Sequence, residues 1–170
     1  MKILTTEDFN QALEHIRKGL ETSKNALDQG SGTRDKRLRK LFFETCREVL
    51  IEKLGMSTEA FLGTCFVEGF NKIPGKKPAL FGSKVYPDAV IKLGNGEHVA
   101  IELDWGNKGS KLRNALAKAG MLNLIGNYAQ IILFFLVYPA QAKQKMQITE
   151  LEQKVLKFYE EELSTKLIIL

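Results

Sequence analysis

Three carboxylates flank one turn signal in this 170-residue chain: Asp88 before Gly94-Asn95-Gly96, and Glu102 and Asp104 after it. The runs on either side are rich in β-branched and apolar residues, and Gly and Asn tolerate the positive φ of a tight turn, so the segment predicts a hairpin. If Leu93 pairs with Glu97 across a three-residue loop, each step back along one strand matches a step forward along the other. Asp88 then lies opposite Glu102, and alternation puts Asp104 on the same face. The other face carries Ala89, Ile91, Leu93, Val99, Ile101, Leu103 and Trp105, an unbroken apolar set. A two-residue loop on Asn95-Gly96 would set Asp88 against Leu103 and mix the faces, so the first register is preferred. Carboxylates gathered this closely repel one another unless positive charge sits among them, and their hard oxygens suit a cation such as Mg²⁺.

Other chemistry-bearing residues are fewer. His98 falls near the turn opposite Lys92, too far to share an ion with the acids, and His15 lies on a surface-leaning helix, so zinc has no support. Cys46 and Cys65 lack metal-like or redox-like spacing and sit in apolar contexts, which predicts buried reduced thiols.

The elements that must position the acids follow from periodicity. Thr5 or Thr6 can cap a helix with Phe9, Leu13, Ile16 and Leu20 at helical spacing, running to about Leu27 and ended by Gln29-Gly30-Ser31-Gly32. A second helix spans Arg34 to Leu54 with Leu38, Leu41, Phe42, Val49 and Leu50 inward and Gly55 as its stop. Phe61 to Phe70 reads as a strand, and the Pro-, Gly- and Lys-rich stretch after it as a basic loop. Beyond the hairpin, Ser110 to Leu124 forms a helix with Leu112, Leu116, Ala119 and Leu122 inward and Lys111 and Lys118 on a polar side. Gln130 to Val137 is a strand buried on both faces, ended by Pro139. A last helix runs from Thr149 to Leu163 with Leu151, Val155, Leu156, Tyr159 and Leu163 inward. A helix between the hairpin and the last strand permits parallel pairing there, so the fold class is α/β with a mixed sheet.

The excess of 25 Lys and Arg over 20 Asp and Glu makes a polyanion partner plausible without requiring one. The longest apolar run, Ile131 to Tyr138, is far shorter than the ~20 residues that cross a bilayer. The first ten residues lack the apolar centre of a secretory signal. A cytoplasmic protein with no membrane partner is expected.

The element order, with Pro87-Asp88 on one hairpin strand and Glu102-x-Asp104 on the other, resembles the PD-(D/E)xK nuclease superfamily of restriction endonuclease-like fold, over roughly Leu38 to Val137. The stretch IELDWGNK is similar to the Glu-x-x-Trp-x-x-Lys pattern of BglII-type restriction enzymes. The resemblance implies an αβββαβ core of a mixed sheet flanked by helices, with an N-terminal helical extension over 1–30, a catalytic domain over 31–170 and a C-terminal helix. It implies a Mg²⁺-dependent DNA endonuclease, with Mn²⁺ able to substitute, acting on double-stranded DNA as a homodimer in a type II restriction system. Asp88 and Glu102 match the two motif acids that ligate the metal. The Leu103 carbonyl, between the acidic positions, is expected as a further ligand. Asp104 stands where the superfamily has lysine and is the main departure; it could orient or deprotonate the attacking water, or ligate a second ion. Lys92 is about 13 Å along the strand from Asp88 and cannot replace the missing lysine, whereas Lys108 and Lys111 are better placed. DNA contacts are expected from Asn107, Lys108 and Lys111 and from Lys72, Lys76 and Lys77 in the basic loop. Only part of the basic run Arg34, Lys36, Arg37, Arg39 and Lys40 can face one ligand. Glu48, and less so Glu44, is a candidate extra acid. Two alternatives stay open: a repair or junction-resolving nuclease of the same fold, and a catalytically inactive DNA-binding protein built on it.

Overall fold

A computed structural model describes residues 2–138 and 146–170. The chain divides into two compact units, Met1–Pro74 with Asp88–His98, and Gly75–Pro87 with Val99–Leu170. A five-stranded mixed sheet flanked by helices, in the order β1-β4-β5-β6-β7, makes the fold α/β, as its alternation of elements predicts.

In the first unit, α1 (Thr6–Ser23) starts from a capping box in which Thr5 and Asp8 satisfy each other's amides. A 3₁₀ turn (Lys24–Asp28) follows, then α2 (Arg34–Arg47), continued by a π turn (Glu48–Lys53). Gly55 at φ 72° ends this run, as expected. The apolar stripes Phe9, Leu13, Ile16, Leu20 and Leu38, Phe42, Val49, Leu50 are buried. α1 packs on α2 so closely that a Cβ on Gly19 would stand 2.7 Å from the Thr45 methyl. The strand expected over Phe61 to Phe70 is shorter. Ser57 accepts from Ala60 N and starts a short helix, α3 (Thr58–Leu62), leaving β1 as Cys65–Val67. β1 pairs antiparallel with β4 (Ala89–Lys92), Cys65 opposite Ile91 and Val67 opposite Ala89. Its other edge is covered by the Asn71 side chain, which accepts from Val67 N and donates to Cys65 O. Cys46 and Cys65 are buried free thiols, as expected. Desolvation, then the neighbouring Cys65 thiol, push the Cys46 thiol well above its ordinary value.

The turn after β4 closes with Leu93 N donating to Glu97 O at 2.8 Å, which is the three-residue loop. Gly94 lies close to the start of the chain there: its amide donates to Leu4 O, and a Cβ would displace the Ile3 side chain.

In the second unit, β5 (His98–Gly106), β6 (Gln130–Val137) and β7 (Thr165–Ile169) run parallel, with Ala100 opposite Ile131 and Leu133 opposite Leu167. The crossovers are α4 (Ser110–Ile125) and α5 (Glu150–Glu162). Leu112, Ala115 and Leu116 of α4 pack on Leu133, Phe135 and Val137. β6 is buried throughout after Gln130, as its continuous apolar run predicts; its expected stop at Pro139 lies outside the described residues. Three features differ from expectation. β7 is an additional strand after the last helix, formed by the β-branched run Thr165, Ile168 and Ile169. On α5, Leu156 and Tyr159 face the core but Leu151 (72% exposed) and Val155 point outward, because only one side of the helix is covered. The basic loop contains a small hairpin, β2 (Ala79–Leu80) with β3 (Ser83–Lys84), whose two-residue turn Phe81-Gly82 has φ 50° and 81°. A bulky side chain at positive φ costs on the order of 1 kcal/mol or more.

Among the described residues, no helix is long and apolar enough to cross a membrane.

Candidate functional site

Asp88 leads into β4, and its carbonyl accepts from Glu68 N, which ties that position to the end of β1. The residue is buried, with its side chain 10% exposed. A charge so removed from water needs a partner. α2 supplies one: Arg39, next to the buried stripe residue Leu38, donates from Nε to Asp88 Oδ1 at 2.9 Å. Glu48 and Glu44 are exposed on the same helical run, Glu44 with Lys40 at 3.8 Å.

Glu102 sits at the centre of β5, 4% exposed. Its partner comes from α4, where Lys118 Nζ stands 2.7 Å from Oε2. Lys118 was expected on a polar side of α4. It lies three residues after Ala115 and four before Leu122, so it borders the inward stripe, from which its ammonium meets the acid. Tyr128 stands in the same environment; burial, then the Glu102 carboxylate, push its hydroxyl above the ordinary phenol value.

Asp104, on the same face of β5 as Glu102, is half-buried, and its Oδ1 accepts from the next amide, Trp105 N, at 2.7 Å. Trp105 is half-buried, with Tyr138 edge-on at 5.9 Å between ring centroids and the Lys111 ammonium 4.8 Å above its ring. Lys111 also packs on Gly106, where a Cβ would stand 3.2 Å from the lysine stem. Lys108 ties the start of α5 down, donating to Gln147 O at 2.7 Å and pairing with Glu152 at 2.6 Å. That contact, with the Thr149 cap, holds the Glu152 carboxyl below its usual value. Asn107 is exposed, as are Lys72, Lys76 and Lys77, with Lys77 standing 3.9 Å above the Tyr86 ring. Lys108 and Lys111, the lysines expected near the acids, are thus engaged elsewhere, and Lys118 reaches Glu102. Arg39 was visible as part of a basic run, but nothing in its spacing singled it out.

The donor set is oxygen only, which suits a hard divalent cation and not zinc. Among the described residues, no group of three or more His, Cys, Asp or Glu side chains stands together as a metal cage.

No protein-family model matches the chain, and no curated protein matches it. Among solved structures it is similar to Pyrococcus furiosus SfsA in complex with Ca²⁺, at 14% identity and a TM-score of 0.37, the match covering 79% of this chain and 56% of that one. A likeness of that size carries no conclusion about activity.

Proposed function

We propose that the protein is a Mg²⁺-dependent DNA endonuclease of restriction endonuclease-like fold, with Mn²⁺ able to substitute. The observation that supports this reading is the Leu93–Glu97 turn bond. Counted on from that turn, an uninterrupted register would bring Asp88 level with Glu102, the two acids that match the motif. Asp88, Glu102 and the Leu103 carbonyl would hold the ion. When bound, the ion supplies an activated water and positive charge for the developing pentavalent phosphate. Asp104 releases Trp105 N and orients the attacking water. Lys118 supplies the cation that the motif position, occupied by Asp104, does not. Cutting both strands of a duplex calls for two active sites, hence a homodimer.

Incubation of the protein with supercoiled plasmid, linear duplex, flap and four-way junction DNA in Mg²⁺ tests this. Sequence-specific duplex cleavage identifies a type II restriction enzyme, and cleavage of branched DNA alone identifies a repair or junction-resolving nuclease. The same ion is expected to raise the melting temperature of the wild type and not of Asp88→Asn, because ligand binding to the folded state alone stabilises it.

One observation favours a second reading. Both motif acids already have a cationic partner, Arg39 and Lys118, which is the arrangement a non-catalytic DNA-binding protein would keep after losing its metal. DNA binding without cleavage in both Mg²⁺ and Mn²⁺ would establish that reading and sink the first.

A further inference from the structure

The β2–β3 hairpin carries an aromatic ring where ordinary turn chemistry would not place one. Phe81 is 101% exposed at the tip, at φ 50°. Two-residue turns with positive φ at both positions favour Asn or Gly, which reach that conformation at little cost. This sequence places a bulky ring there instead, and the ring gains no burial in return. The base of the hairpin is firmly seated. Leu80 packs against Val85, Ala100, Ala119, Leu122 and Ile131, and Val85 N donates to Pro78 O at 2.9 Å. The ring therefore stands in solvent at the tip of a hairpin whose base is packed.

The charge around it has one sign. From Asn71 to Pro87 the chain has four lysines and no Asp or Glu. Lys76, Lys77 and Lys84, which flank the tip, are exposed.

We propose that this hairpin is a nucleic-acid wedge, in which Phe81 stacks on an unpaired or unstacked base while Lys76, Lys77 and Lys84 hold the adjacent phosphates. One aromatic ring is the unit that base stacking requires, and stacking is sequence-tolerant because every base has a π face. An anionic membrane surface would also attract the lysines, but anchoring there takes a broader apolar face than one ring. Intact duplex must be unstacked before the ring can enter, so the favoured ligand is DNA with a gap, flap or branch. Within the nuclease reading this favours the repair or junction-resolving form over the restriction form, and it rests on DNA being the ligand but not on cleavage.

The test measures binding in EDTA, where cleavage by a metal-dependent enzyme is silent. Fluorescence anisotropy and 2-aminopurine emission are followed on a gapped duplex and on an intact duplex of the same sequence. The full-length wild type is expected to prefer the gapped DNA and to quench 2-aminopurine placed at the gap. Phe81→Gly suits the positive φ and should melt no lower than the wild type, yet bind gapped DNA roughly tenfold more weakly, the value of about one stacked base. Phe81→Trp should retain binding and quenching. Lys76→Ala with Lys84→Ala should weaken both DNAs alike and flatten the salt dependence. Equal affinity of Phe81→Gly and wild type for gapped DNA, or binding to phosphatidylserine vesicles with none to either DNA, would overturn the proposal. Phe81-dependent binding with no cleavage in any metal would leave the wedge standing and remove only the nuclease reading.

Discussion

Asp88 in the first unit and Glu102 in the second are buried to a similar degree, yet different cations answer them. Arg39 reaches Asp88 from α2, ahead of the strand in sequence, and Lys118 reaches Glu102 from α4, after it. A guanidinium is planar, permanently charged and suited to holding an acid in place. An ammonium is a compact charge that can also give up a proton. The first pair can therefore only position its carboxylate, whereas the second can also take part in proton movement. Neither cation is fully buried, at 28% and 38% side-chain exposure, so each can swing aside for a competing ligand without being stranded in the core.

The largest expected effect tests whether the two acids act together. Asp88→Asn and Glu102→Gln should each lower plasmid cleavage in Mg²⁺ by about 10²-fold or more, the scale of losing one electrostatic contributor to a charged transition state. The double variant should be little worse than either single one, because residues acting as a unit are not additive. Loss with only one of the two would mean that the pairs serve different purposes and that the shared metal site does not exist.

The cations come next. Removing one partner of a buried pair leaves a stranded charge, at a cost of about 3–5 kcal/mol when both are fully buried. Solvent screening of Lys118 brings the expected loss for Lys118→Met down to about 1–3 kcal/mol, read from urea unfolding. Lys118→Arg should recover most of that stability. If Lys118 handles a proton, the arginine variant should still cleave slowly, since arginine does not release one. Arg39→Lys, in contrast, should change stability and rate in proportion. Equal recovery of rate and stability by both conservative variants would erase the distinction between the pairs.

The same contrast shows what the sequence made legible. The hairpin turn was readable because Gly94-Asn95-Gly96 permits few registers and only one kept the faces clean, and the Leu93–Glu97 bond is that register at the turn. The stripes of α1 and α2 and the apolar run of β6 were readable because burial imposes a period. What escaped was tertiary. Lys118 looks polar on a helical wheel, and only the β5 face beneath α4 turns it inward. Leu151 and Val155 look inward on α5, and only the width of the sheet it covers leaves them exposed. β7 is five residues long, a run whose period is too short to separate a strand from the tail of a helix. The wedge hairpin has two residues per strand and no period at all.

The smallest expected effect is also the most direct on the second pair. Burial and the Glu102 charge together raise the Tyr128 phenol above its ordinary value. A raised phenol pKa in the folded state means that the fold favours the protonated form. Tyr128 therefore contributes stability that is fully present below the unfolded phenol value, near 10, and is lost as pH rises through the higher folded value. Glu102→Gln in metal-free buffer removes the charge and leaves the burial. The Tyr128 titration, isolated as the difference in tyrosinate absorbance between each protein and its Tyr128→Phe counterpart, should move down part of the way and remain above the ordinary value. The alkaline loss of stability should become correspondingly smaller. A titration that does not move would mean that Lys118 already cancels the Glu102 charge at that distance. The pair would then present no net negative charge to attract a divalent ion until Lys118 swings away.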